Sequence, residues 1–331
     1  MKKENFRNGF LAIILLFSAT FSLTGCTDTE EGVNAQKSTI TVLAQSQPQL
    51  STLVTALVRA GLDDDLNAAG TFTVFAPTNA AFTAFLATTT YPTVNDVPVP
   101  LLKEILLNHV LSEVKDAAAL PNSGYLKTLG KGSASATNTL SLYVKKTTTG
   151  STTVVELNGV SEVTTANVLA SNGIVHIVDA VIGLPTIVTH ATANDDFDSL
   201  VGALTGAGQP NFVSILNGTG PFTVFAPTNS AFTSLNTELA PGGIAGVSTA
   251  NLTKVLQYHV VSPANVLAAN LTEGQIVTPI LTPAQTFTIQ LAGGAKIKDA
   301  NNRISPITQT DIQCANGVIH VLGSKVLLPV L

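Results

Sequence analysis

The sequence predicts an α+β protein made of two tandem domains, and three observations carry that prediction. First, FTVFAPTNAAF from Phe72 to Phe82 recurs as FTVFAPTNSAF from Phe222 to Phe232, ten of eleven positions identical at a separation of 150 residues. Second, further blocks recur in the same order: Leu53–Leu57 with Leu200–Leu204, Leu107–Leu111 with Gln257–Val261, and Asn172–Val178 with Asn316–Leu322. Third, each copy opens on helical spacing and closes on strand alternation. A unit of about 145 residues is too long for a solenoid repeat and suits an autonomous domain.

The N-terminus is read apart from these domains. Lys2, Lys3 and Arg7 precede an apolar run from Phe10 to Phe21, which is shorter than the roughly 20 apolar residues of a permanent membrane span. That grammar is a removable export signal, residues 1–25. Leu23-Thr24-Gly25-Cys26 closes it and resembles the bacterial lipobox, which implies acylation of Cys26 and a membrane tether. Residues 26–37, with Asp28, Glu30, Glu31 and Gly32, lack an apolar period and read as a flexible stalk. The expected location is the cell envelope of a bacterium, at the outer membrane or cell surface.

Within the first domain, residues 38–187, Leu50, Leu53, Val54, Leu57 and Val58 fall at helical spacing before a turn at Gly61. Phe72 to Phe75 alternates as a strand, with Phe72 and Val74 on one face and Thr73 and Phe75 on the other. Ala76-Pro77 is expected to stop the ladder, because proline lacks an amide donor, and Thr78 or Asn79 to cap a helix carrying Ala81, Phe82 and Phe85. Phe222, Phe225, Pro227 and Thr228 repeat the arrangement in residues 188–331. The phenylalanines read as core anchors. Thr139–Val144 and Thr153–Leu157 form strands about a Thr/Gly turn, Ile174–Ile182 suits a buried strand, and Asn172-Gly173 supplies the turn into it, since both residue types tolerate positive φ.

Composition excludes several functions. Without residues 1–25 the chain keeps 13 basic and 20 acidic side chains, a balance that argues against nucleic acid. Cys314 is then the only cysteine besides Cys26, and within an apolar strand it reads as a small buried hydrophobe. Of the 5 histidines, His109 matches His259 and His176 matches His320, with no metal-ligand spacing around them. Buried neutral histidines bonded to the backbone are the expected state, and His190, in the link between the domains, is expected to be solvated. Asp63-Asp64-Asp65 reads as a solvated charge run after a helix and is not repeated. No catalytic motif or cofactor fingerprint is present.

TFTVFAPTNAAF, the histidines at 109 and 259, and NGIVHIVDAVIGLP with NGVIHVLGSKVLLP resemble the fasciclin-like domain in both copies. The resemblance implies β-sheet wedges or sandwiches flanked by short helices, no cofactor, and a non-catalytic role in adhesion or in contact with surface proteins, matrix or glycans. It also implies candidate adhesion residues: Tyr258-His259 matches a Tyr-His pair implicated in receptor binding in animal relatives, and Asp311-Ile312 matches an Asp-Ile pair before the Asn-Gly turn. Asn108-His109 and Asn167-Val168 stand at these places in the first copy, so recognition is expected in the second. A structural envelope protein, or an accessory to extracellular glycan processing, is the alternative reading.

Overall fold

The computed structural model describes residues 37–331; Cys26, the export signal and nearly all of the stalk lie outside the described residues. The first domain runs through α1 (Ile40–Gln45), α2 (Ser51–Ala60), α3 (Asp63–Asn67), β1 (Phe72–Pro77), α4 (Asn79–Ala87), α5 (Val99–Leu107), β2 (Val110–Leu111), β3 (Ser123–Lys131), β4 (Thr139–Thr149), β5 (Thr152–Leu157), β6 (Ser161–Ala170) and β7 (Gly173–Val178). The second repeats the order: α6 (Ile187–Ala193), α7 (Asp198–Thr205), α8 (Phe212–Leu216), β8 (Phe222–Pro227), α9 (Asn229–Glu238), α10 (Thr249–Gln257), β9 (Val260–Val261), β10 (Ile276–Val277), β11 (Phe287–Gln290), β12 (Lys296–Lys298), β13 (Ile304–Cys314) and β14 (Gly317–Leu322). Among these residues no helix is long and apolar enough to cross a membrane.

Each domain holds one seven-stranded sheet, ordered β2-β1-β7-β6-β5-β4-β3 in the first and β10-β11-β12-β13-β14-β8-β9 in the second. The repeated motif strand lies near one end and pairs in parallel with the strand of the Asn-Gly motif, Phe75 opposite His176 and Phe225 opposite His320. Both faces of that strand are buried, which accounts for its apolar run. Val74 packs under the helices with Leu53, Leu57 and Phe82, while Phe75 packs within the curl of the sheet with Leu111, Leu142 and Val178.

The motif residues divide the work as elementary chemistry requires. The strand ends at Pro77, opposite Val178, as expected from a residue that has no amide to donate to the ladder. Thr78 is the cap of α4, its Oγ1 accepting from the Ala81 amide at 3.2 Å, and Thr228 caps α9 in the same way. Asn79 is not the cap. Its Oδ1 accepts from the Thr52 amide and its Nδ2 donates to the Pro48 carbonyl, pinning the start of α2 to the motif, and Asn229 does the same to Ser199 and Asp195.

Asn172 and Asn316 likewise serve through their side chains rather than through a positive φ. Asn172 Oδ1 accepts from the Ile40 amide and its Nδ2 donates to the Leu66 and Ala68 carbonyls; Asn316 binds Ile187, Leu216 and Gly218 in the same way. The glycine after each asparagine is required by close approach, since a Cβ at Gly173 or Gly317 would lie 2.1 or 2.3 Å from the carbonyl oxygen of Phe72 or Phe222. Asp63, Asp64 and Asp65 form the first turn of α3, where acidic side chains suit the helix dipole, so they open a helix rather than trail one.

Candidate functional site

The paired histidines sit at the joints of each domain. His109 Nδ1–H donates to the Ile105 carbonyl one turn back, at 2.7 Å, and Nε2 accepts from the Ile182 amide at 2.9 Å. His259 makes the same two bonds, to Val255 and from Leu327. Burial, opposed only in part by the carbonyl bond, holds each imidazole at a pKa of about 4, so both are neutral and tie a helix end to the strand exit. His176 and His320 are stacked against Phe75 and Phe225, ring centroids 5.5 and 5.4 Å apart, and donate from Nε2 to the Lys115 and Val266 carbonyls. His176 Nδ1 also accepts from the Asn167 amide at 3.4 Å, whereas His320 Nδ1 is buried with no partner among the described residues.

The second domain's candidate adhesion residues separate by depth. Tyr258 is fully buried, edge-on to Phe287, with its hydroxyl donating to the Thr286 carbonyl and accepting from the Ala300 amide. His259 lies beneath it, and Ile312 is 1 % exposed in the core under the helices. Asn108, in the place of Tyr258, is also buried, bonding the Gly183 carbonyl and Thr128. Aromatic filling in one domain replaces a polar network in the other. Only Asp311 is partly exposed.

Asp311 lies where the register of β13 slips against β14, at a left-handed backbone of φ 59°, and its Oδ1 accepts from the Ala268 amide at 2.8 Å. Asn167 occupies the matching slip of β6, at φ 63°, and accepts from Ala117 at 2.8 Å. The asparagine makes the same bond without a charge. The carboxylate of Asp311 is therefore not needed for the turn.

Asp311 also stands on the seam between the domains. Lys127 of β3 donates from Nζ to the Asp311 carbonyl at 2.8 Å and to Ser141 Oγ, and Ser141 Oγ accepts from the Gln313 amide at 3.0 Å. Ala134 and Pro185 bind the two backbone groups of Ala315, and Lys145 pairs with Asp195 at 2.8 Å. A Cβ at Gly132 would fall 2.3 Å from the Ala315 Cα, so glycine permits the approach.

Sequence reasoning placed His190 in solvent, and the structure corrects this. His190 belongs to α6 and is fully buried against the first domain, its ring edge-on to Tyr125 at 5.3 Å. Neither ring nitrogen has a hydrogen-bond partner among the described residues. Burial, with the Lys127 charge adding, lowers its pKa to about 3, against the opposing pull of the Ser141 and Gln313 carbonyls. Cys314 is buried in β13, and burial pushes its thiol up, away from reactivity.

The fasciclin domain profile matches this chain twice, at residues 48–185 and 195–329. The chain belongs to the fasciclin domain family. The chain is similar to the Synechocystis sp. protein sll1483, 36 % identical over 146 residues, 44 % of this chain and 74 % of that protein. Human periostin is 27 % identical over 81 % of this chain, which spans only 29 % of periostin's length. Among solved structures, a FAS1 domain pair from the insect cell adhesion molecule fasciclin I superposes with a TM-score of 0.54, at 21 % identity, over 84 % of this chain and 97 % of that one. That likeness extends to the pair and is a likeness of fold.

Proposed function

We propose that this protein is a non-catalytic adhesion or binding module of a bacterial cell envelope, tethered through acylated Cys26 and a short stalk, whose recognition surface is centred on Asp311 at the seam of its two fasciclin domains. The observation that carries the reading is the surplus charge of Asp311: Asn167 fills the same turn and makes the same bond without one. The adhesion role of the insect protein with this fold supports it. The ligand class is a surface protein or glycan with a cationic or hydrogen-bond-donating group.

Because the exposed Lys127 of the first domain donates to the Asp311 carbonyl, while the buried Ser141 fixes the adjoining Gln313 amide, the first domain contributes to that surface through Lys127. Comparing the intact protein with Asp311→Asn on a matrix-protein and glycan array tests recognition, and metabolic labelling with a fatty-acid probe, lost in Cys26→Ala, tests the tether.

A further inference from the structure

His190 owes its burial to the other domain. Its counterpart in the first domain, matched through the bonds of Ile40 and Ile187 to Asn172 and Asn316, is Leu43, which is only half-buried. The same place on α6 is 0 % exposed because the first domain lies over it, with Tyr125 of β3 edge-on to the ring at 5.3 Å. The apolar cores of the two domains stay separate: among the described residues, Tyr125 is the one first-domain side chain packed on the second domain's clusters. The other bonds across the seam are polar, from Lys127 to the Asp311 carbonyl, from the Gln313 amide to Ser141, from the Ala134 amide to the Ala315 carbonyl, and between Lys145 and Asp195.

We propose that this seam is an acid-sensitive joint, at which protonation of His190 parts the two domains while each keeps its fold. A neutral imidazole is tolerated there and an imidazolium is not, since both ring nitrogens lack a partner and Lys127 of β3 already brings a cation. The other titratable groups on the elements around α6 offer no compensating anion. Tyr125 and Tyr143 bond Asn194, Asp195 is taken by Lys145, and Asp196 and Asp198 are exposed. Asp311 of β13 turns its carboxylate to the Ala268 amide, Cys314 is held as a thiol by burial, and His320 of β14 faces the Val266 carbonyl. Opening exposes the ring to water, where its pKa is near 6.5 against about 3 in the closed seam. The open state therefore binds the additional proton, and lowering the pH from 7.5 to 5.0 favours opening about thirtyfold. Parting also withdraws Lys127 from the Asp311 carbonyl; that acid thereby weakens recognition rests on the function proposed above, whereas the parting itself does not.

Amide hydrogen exchange at pH 7.5 and 5.0, corrected for intrinsic rates, reads opening at the Gln313 and Ala134 amides, which bond across the seam, against the Phe75 amide inside the first domain's sheet. In the wild type the protection of Gln313 and Ala134 should fall about thirtyfold on acidification and stay below that of Phe75 at both pH values. In His190→Leu, and in His190→Gln, which keeps a polar side chain that does not titrate, it should change less than about threefold. Phe75, whose domain titrates through His109, should lose as much protection in the variants as in the wild type. Seam protection that does not fall in the wild type, that equals the protection of Phe75, or that falls as far in either variant would overturn the proposal.

Discussion

Asn167 and Asp311 stand at the same left-handed turn of the two domains, φ 63° and 59°, each accepting one loop amide at 2.8 Å through its side chain. Asp311→Asn should therefore leave stability within about 0.5 kcal/mol of wild type, as for a surface change that keeps every bond. Asp311→Ala loses the bond and places a Cβ-bearing residue without a local acceptor in that conformation, at a cost of about 1 to 3 kcal/mol. Urea melts of the two variants make the comparison, and equal losses would show that the charge itself holds the turn.

The stacked pairs Phe75–His176 and Phe225–His320 centre the two sheets. Phe75→Ala or Phe225→Ala should destabilise its own domain by about 3 to 5 kcal/mol. Calorimetry that shows unchanged melting for either variant would refute the core assignment.

Acid should weaken the fold through the buried histidines. His109 and His259 remain neutral down to about pH 4 and His190 to about pH 3 when folded, whereas the unfolded chain protonates them near 6.5. The folded state binds fewer protons, so stability is complete above pH 6.5 and falls as pH drops below it, by roughly 1.4 kcal/mol per pH unit for each histidine, until the folded pKa is reached. Denaturant melts between pH 7.5 and 4.5 measure the slope, and a flat profile would contradict neutral burial.

His190 offers a sharper version of that test. Ile40 and Ile187 match through their bonds to Asn172 and Asn316, which places Leu43 where the second domain has His190. His190→Leu removes two unbonded buried nitrogens and one titrating group. It should stabilise the protein by about 1 to 3 kcal/mol at neutral pH, and by more at pH 5. Destabilisation at both pH values would show that the imidazole has a partner that the geometry does not reveal.

The seam depends on Gly132, whose missing side chain admits the backbone of Ala315. Gly132→Val should part the domains. Small-angle scattering should then report a larger radius of gyration, and an unchanged profile would mean that the contact does not fix the pair.

What was legible in the sequence was local. The strand, the threonine cap and the neutral histidines follow from residues within one turn or one strand of each other. Asn79 and Asn172 were misread because their partners, Thr52 and Ile40, lie 27 and 132 positions away, so neighbours suggested a cap and a turn instead. His190 looked solvated because its cover comes from Tyr125 of the other domain. Tyr258 is a candidate through the resemblance to a Tyr-His pair, and two adjacent residues carry no mark of depth; only the fold packs Phe287 against it. The matched turns of Asn167 and Asp311 depend on register slips that alternation cannot disclose.

Recognition at the Asp311 seam is tested by binding of the protein from Lys37 onward to a matrix-protein and glycan array, with Asp311→Asn beside the wild type. The wild type should bind at least one surface protein or glycan, and Asp311→Asn, equally stable, should bind it about five- to thirtyfold more weakly, a loss of about 1 to 2 kcal/mol. Equal binding by both proteins, or no binding by the wild type, would contradict it.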